Sequence, residues 1–460
     1  MKKDSSMASR WLKDPLVSFD PENGAVVDGG LVVAGGRIVE RVARGATPSR
    51  AFDDVLDVSD LVLLPGLINT HHHFYQTLTR AYRRALDKPL FPWLQSLYPT
   101  WAGLSEEMIA VSTELACSEL LLSGCTTSVD HHYVFSNALA HAIDRQAEAA
   151  AKVGLRVVLT RGSMSLGESA GGLPPDTVVQ DIDTILADSE RLVQGLHDPA
   201  PHAMCQVALA PCSPFSVTPE LMRDTAELAA RHGVLLHTHL SETEDENEFC
   251  LAQFGRRPVD HMADCHWLQD NVWFAHGIHF TDAEIERLGA AGCGVSHCPS
   301  SNMLLSSGTC RVPELRAAGV RVGIGLDGSA SNDGSNMIQE VRQALLIQRL
   351  ALQPEDAGSI SHLDALGWAT KGGAQLLNRP ELGSLAVGAA ADLALFSLDE
   401  PRFNSSDEPL AALVLCGAHK ARHVMVGGEW RVFDEQLING DIHELMANHR
   451  RLAEVLWAAA

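Results

Sequence analysis

"LLPGLINTHHHFYQ", residues 63–76, is the stretch that decides the fold. A short apolar run passes a Pro-Gly break and ends in polar residues, three of them consecutive histidines. Alone, that run is compatible with incidental surface polarity, so its surroundings decide. The pattern recurs in "TTSVDHHYVF" (126–135), "LRVVLTRGS" (155–163), "MCQVALAPCS" (204–213), "VLLHTHLSE" (234–242), "VWFAHGIH" (272–279), "CGVSHCPSSN" (293–302) and "RVGIGLDGS" (321–329). Most of these runs precede a helical pattern. Ser105 opens one helix, with acidic residues in its first turn and Gly124 as the stop; "TPELMRDTAELAARHG" ends on Gly233 in the same way. Eight strand–helix units over roughly 300 residues are what a closed (β/α)8 TIM-like barrel requires. An open doubly wound sheet is the alternative, and the chain lacks the Gly-rich dinucleotide loop such a sheet often carries.

The two ends read differently. "LVVAGGRIVERV", "VLDVSDLVLL", "GSLAVGAAADLALFSL" and "ARHVMVGGEWRV" are short strands broken by glycine turns. Neither end has enough strands for a stable sheet, so 1–64 and 375–460 are expected to form one small β-sandwich domain beside a barrel of 65–374. The last segment places Ile442, Leu445, Met446, Leu452, Leu456 and Trp457 at helical spacing, for packing on the body or on a neighbouring subunit.

Composition narrows the function classes. The 460 residues are 46% apolar and 20% charged, an ordinary globular balance. Lys and Arg total 35 against 58 Asp and Glu, a formal net charge of -23, which disfavours a nucleic-acid polymer or an anionic membrane as partner. A small neutral molecule remains compatible. The opening "MKKDSSMASRWLKDPLV" has no apolar core of leader length, and no later run approaches a membrane span. Ten cysteines without a CxxC suggest reduced thiols and a cytoplasmic location.

Barrel enzymes place their chemistry at the C-terminal ends of the strands. The polar residues there are His71–His73 on the first strand, His237, His239 and Glu242 on the fifth, His276 on the sixth, His297 on the seventh and Asp327 on the eighth. Imidazole and carboxylate donors from several strands suit a divalent metal. Period-two geometry turns His71 and His73 inward and His72 into the barrel wall. It also puts His237 and His239 on one face, with His237 a layer deeper. His71, His73, His239 and Asp327 are therefore the candidate ligands. Glu242, three residues beyond His239, suits a proton shuttle beside an activated water, with Asp327 assisting as base and His276 bonding the water or the developing oxyanion. His131, His132 and His297 are read as core residues, with support of the ligands as the alternative. The fourth strand has no lysine to form a carbamate bridge, which favours one metal over two.

These motifs resemble the amidohydrolase superfamily: "LPGLINTHHH", "HTHLSE", "AHG", "LDGS" and "ATKGGAQLLNRPELGSLAVGAAADLALF", spanning essentially the whole chain. The resemblance implies a barrel with a split β-domain and a metal held by His71, His73, His239 and Asp327. Within it the pattern is similar to the purine and triazine aminohydrolase branch, which implies Gln76 on a purine edge and Trp93 of "LFPWL" as a lid aromatic. Guanine deaminases carry Arg-Phe where this chain has Cys212-Ser213, a departure that weakens plain guanine as substrate. "LINTHHHFYQTLTRAYRRAL", "TRGSMSLGESAGGLPPD" and "LAPCSPFSV" resemble enzymes acting on 8-oxoguanine, implying 8-oxoguanine plus water to urate plus ammonia. Cys212 is then either a specificity contact or a packing residue, and Arg161 either reaches substrate or pins the lid.

The expected cofactor is one divalent metal, zinc in preference to iron or manganese. The expected partner is a small heterocyclic base, with a homo-oligomer as a family-based expectation. Guanine, isocytosine and amino- or chloro-triazines are the alternative substrates on the same site, since a few pocket contacts decide among them. A hydantoinase-type hydrolase fits less well without the strand-four lysine. A non-catalytic binding or assembly barrel has no reason to keep every ligand together with Glu242.

Overall fold

The computed structural model describes residues 9–136, 138–356 and 358–459. Residues 1–8, part of the stretch read above for a leader, lie outside them. Eight parallel strands close into a barrel: β1 (Leu67–Asn69), β2 (Cys125–His132), β3 (Arg156–Ser163), β4 (Cys205–Pro211), β5 (Leu236–Leu240), β6 (Val272–His276), β7 (Gly294–His297) and β8 (Arg321–Ile324), with β8 pairing back onto β1 through Ile324 and Asn69. The (β/α)8 reading therefore holds.

Both chain ends meet in a seven-stranded sheet. Leu61–Pro65 pairs antiparallel with Leu393–Ser397 and parallel with Val17–Asp20. A four-stranded sheet from Arg10–Lys13, Gly30–Ala34, Arg37–Arg41 and Asp54–Asp57 lies over it. Strand alternation divides the sides cleanly. Leu61, Leu63, Leu393 and Leu395 pack with Leu12, Leu31, Val33 and Ile38 between the sheets. Val62, Leu64, Ala394 and Phe396 turn into the main core with the barrel helices. The sheet and the barrel share one continuous run of chain, and the switch falls at Gly66. A Cβ there would lie 2.0 Å from Thr126 Oγ1, so only glycine allows β1 to leave the sheet alongside β2.

The helix signals correspond to caps. Ser105 accepts from Met108 N at the start of Glu106–Leu122. Thr218 accepts from Leu221 N before Pro219–His232, and Gly233 ends that helix at φ +67°. Such caps contribute about 1 kcal/mol each. The C-terminal helix, Ile442–Ala459, packs on the body through Leu452, Ala453 and Leu456. Its apolar stripe is only partly covered, however, since Met446 and Trp457 are exposed. Trp457 still donates from Nε1 to Leu78 O at 2.8 Å. Inside the barrel, Ile68, Val129, Val158, Ala208 and Trp273 form an apolar floor closed from below by Leu376 and Leu377. Everything polar gathers above that floor. No helix among the described residues is long and apolar enough to cross a membrane.

Candidate active site

The site grows upward from Trp273. Its Nε1 donates to Thr70 O at 3.1 Å, and its indole stacks on the His237 ring at 4.3 Å. A carbonyl oxygen only accepts, so His237 Nδ1, 2.9 Å from Trp273 O, must carry a proton. Burial pushes His237 down to about 3, so the ring is neutral and its Nε2 is an acceptor. That acceptor lies 2.8 Å from His71 Nδ1, which must then donate, leaving the His71 Nε2 lone pair free and pointing up. The deeper layer assigned to His237 is where the structure places it.

The same logic sets the other imidazoles. His73 Nδ1 donates to His131 O and His239 Nδ1 to Cys212 O, each at 2.6 Å. Their free Nε2 atoms stand 3.2 Å apart. Asp327 Oδ1 lies 3.1 Å from His73 Nε2 and 3.4 Å from His71 Nε2. Burial pushes His71 and His239 well below the ordinary imidazole value. Burial acts in the opposite sense on Asp327, but its contacts with His71 and His73 hold it well below the usual carboxylate range. Three imidazole lone pairs and a carboxylate converging at such distances repel one another unless a cation lies between them. His71 Nε2 is also buried without a protein partner. The donor set thus fits a divalent cation of the zinc type. Two overlapping quartets have ligand atoms within 4.8 Å of one another: His71, His73, His131 and His239, and His71, His239, His276 and Asp327. Ser301 Oγ and Ser331 Oγ donate to Asp327 Oδ2 at 2.7 and 3.2 Å, which fixes that carboxylate.

His73, His239, Glu242, His276 and Asp327 face a small cavity shared with Gln76, Trp93, Cys212, Tyr133, Leu90, Leu94, Phe215 and Leu305. Glu242 Oε2 stands 3.3 Å from His276 Nε2, and Ser307 Oγ donates to Glu242 Oε1 at 3.3 Å. Burial, with the charges of Asp327 and Glu246, raises Glu242 well above the usual carboxylate range. Asn302 Nδ2 lies 2.9 Å from His276 Nδ1; with the amide donating, the His276 proton sits on Nε2, facing Glu242. Gln76 is buried with Oε1 unpartnered. Burial pushes the Cys212 thiol up to about 12, so it stays neutral at the cavity wall.

One residue falls elsewhere. Arg161 does not line the cavity. Its guanidinium bonds Asp188 at 2.7 Å, Gln180 at 2.9 Å and Gly162 O, and lies 3.8 Å over the Phe135 ring. On β3 it faces away from the barrel axis, beside His132 on β2. The structure thus places Arg161 outside the cavity lining, where its bond to Gln180 ties down the segment after β3. His72 packs outward on Phe74, and His297 meets Gln348. His131 is nearer the centre than a plain core residue, stacked at 4.7 Å on His239. Asn302, Ser301, Ser331 and Tyr133 were not foreseen. The residue type that fixes a histidine tautomer, an amide or hydroxyl after a strand end, is present in "CPSSN", where Ser301 and Asn302 belong to the short helix Pro299–Leu304.

The family model described as Amidohydrolase family matches residues 62–431. The 8-oxoguanine deaminase of Pseudomonas aeruginosa is 56% identical over 98% of this chain and 100% of its own length. Hydroxydechloroatrazine ethylaminohydrolase of Pseudomonas sp. strain ADP is 43% identical over 75% of this chain and 72% of its own. Among solved structures, the atrazine chlorohydrolase of Arthrobacter aurescens TC1, complexed with zinc, superposes with a TM-score of 0.91 at 30% identity, covering 96% of this chain and 100% of that one.

Proposed function

This chain belongs to the amidohydrolase family, and from that premise we propose that it hydrolyses the 2-amino group of 8-oxoguanine, giving urate and ammonia with one bound zinc ion. The observation that carries this reading is the 56% identity, end to end, with an 8-oxoguanine deaminase. The cavity agrees with it. Apolar walls from Leu90, Leu94, Phe215 and Leu305 suit a flat ring, and Gln76, Tyr133 and Cys212 offer polar groups for its edges.

His71, His73, His239 and Asp327 would hold the zinc, whose bound water ionises near neutral pH. The chain's own residues do the rest. Glu242 takes a proton from the attacking water and delivers it to the ring nitrogen next to C2. Its raised affinity for protons suits a group that must accept and release one in each turnover. His276 orients the attacking oxygen, and Asp327 takes the second proton and passes it to the amino group, so that the C–N bond breaks and ammonia leaves with both residues back in their starting states. Trp93 and Leu90 line the cavity beside the metal ligands. Ten free cysteines support a cytoplasmic location.

An ammonia-release assay over 8-oxoguanine, guanine, isocytosine and aminotriazines tests the substrate. The best kcat/KM is expected for 8-oxoguanine, with urate as product; no turnover of any purine refutes it. Glu242→Gln should keep its zinc and lose about three orders of magnitude in kcat, within the 10²–10⁴-fold range of general acid–base catalysis. Near-normal turnover would remove Glu242 from the reaction.

A further inference from the structure

Just past β5 the chain takes an unfavourable backbone conformation. Ser241 sits at φ +53°, in the left-handed region that a residue with a side chain avoids. Its carbonyl accepts from Ile278 N at 2.9 Å and from His279 N at 3.0 Å. Its N–H goes to Glu246 Oε1 at 2.8 Å, and the next N–H, that of Glu242, goes to Glu246 Oε2 at 3.1 Å. Both oxygens of one carboxylate therefore hold two successive amides, one in the left-handed turn and one on Glu242 itself.

Glu246 is an unusual residue to find there. It is fully buried in the first turn of the helix Glu244–Phe254, outside the cavity lining, and no Lys, Arg or His pairs with it among the described residues. A buried carboxylate without a counter-ion is costly. The two successive N–H groups each reach a different Glu246 oxygen, and glutamine of the same length offers one such oxygen, its other terminal atom being a donor. The geometry beyond the clamp explains the expense. With its amide fixed, the Glu242 carboxylate is left 3.3 Å from His276 Nε2 and 3.3 Å from Ser307 Oγ.

We propose that Glu246 is a positioning residue for Glu242: its carboxylate holds the Ser241 and Glu242 amides, and through them aims the Glu242 side chain at His276 and the reacting ring. The inference rests on the proton-shuttle role of Glu242 under the proposed function. It makes Glu246 part of the reaction without any contact to substrate.

Glu246→Gln keeps the size of the side chain and removes one acceptor. In hydrogen–deuterium exchange, the peptide covering 240–243 should exchange at least tenfold faster in E246Q, with the other barrel strands unchanged. In steady-state ammonia release from 8-oxoguanine, kcat should fall at least tenfold, with KM within about twofold of the parent and zinc per chain unchanged. A simple structural brace would lower the melting temperature and leave kcat alone. Unchanged exchange, an unchanged kcat, or a loss carried by KM or by zinc content would overturn the proposal. Should E246Q fail to fold, S241G/E246Q carries the same readouts against S241G, because glycine takes the left-handed backbone unaided. If the parent releases ammonia from no heterocycle, the deaminase reading falls, while the exchange measurement still decides whether Glu246 holds the two amides.

Discussion

His237 never reaches the cavity, yet it decides what His71 can do there. The relay from Trp273 O through His237 to His71 Nδ1 leaves one lone pair pointing at Asp327 and the neighbouring imidazoles. His237→Ala is therefore expected to weaken zinc binding by about 10–100-fold, the usual effect of losing an outer partner of a metal ligand, and a chelator competition titration reads it directly. Zinc affinity equal to the parent's would mean that the relay is incidental. At this scale the sequence was readable wherever strand parity applied. Parity alone separates His71 and His73 from His72, and strand ends point to Glu242, His276 and Asp327. A strand-end position without the inward face does not lead to the cavity: Arg161 lies near the end of β3, but its side chain leaves the barrel for Asp188 and Phe135. Asn302 and Ser301 sit in a helix of six residues after β7, Pro299–Leu304, too short to show a periodicity, so nothing local marks them as partners of His276 and Asp327.

Buried carboxylates outside the cavity hold the segments that carry the site. Asp130 accepts from Phe74 N at 2.5 Å, at the head of the turn bearing Gln76. Glu340, in the first turn of the helix Met337–Ala351, accepts from Ser300 N at 2.8 Å, Ser300 Oγ at 2.6 Å and Asn332 Nδ2 at 3.1 Å, which binds the loop after β7 to the loop after β8. Burial pushes Glu340 up to about 7 from an ordinary value of 4.5. A raised carboxylate keeps its proton in the folded chain where the unfolded chain has released it. Its stabilising contribution is therefore complete below the unfolded value and is lost as pH rises through about 7. The melting temperature of the parent relative to E340Q should fall from pH 5 to pH 8. A difference independent of pH would show that Glu340 does not titrate in that window. The helices and strands themselves were legible from caps and apolar runs, as Ser105, Thr218 and Gly233 show. Their supporting carboxylates were not, because a Glu in the first turn of a helix looks the same whether it faces solvent or a buried loop.

At the scale of the whole molecule, a buried ion pair joins barrel and sandwich. Arg156, at the start of β3, meets both Asp392 oxygens at 3.0 Å and gives its remaining donors to His202 O and Ala203 O. Asp392 also accepts from Gly427 N at 2.7 Å, and its carbonyl accepts from Gly66 N at 2.8 Å. Arg156→Met leaves a buried carboxylate unpaired and should cost about 3–5 kcal/mol, seen as a lower denaturation midpoint; an unchanged midpoint would contradict that cost. The eight-fold repeat was plain from the sequence, and so was the kinship of the two ends. The registers that join them were not, since Leu63 opposite Leu395 is a pairing no local pattern encodes.

That pairing has a consequence for how the chain is made. Leu61–Pro65 is synthesised early and Leu393–Ser397 late, so on the ribosome the first strand waits for its neighbour while nearly the whole barrel emerges. Pairings so distant in sequence form slowly. The nascent chain must meanwhile keep the apolar faces of Leu61, Leu63 and their neighbours out of aggregation. Completion of the sandwich thus waits until the barrel has been made, and expression yield should depend on chaperone supply more than the stability of the finished fold would suggest.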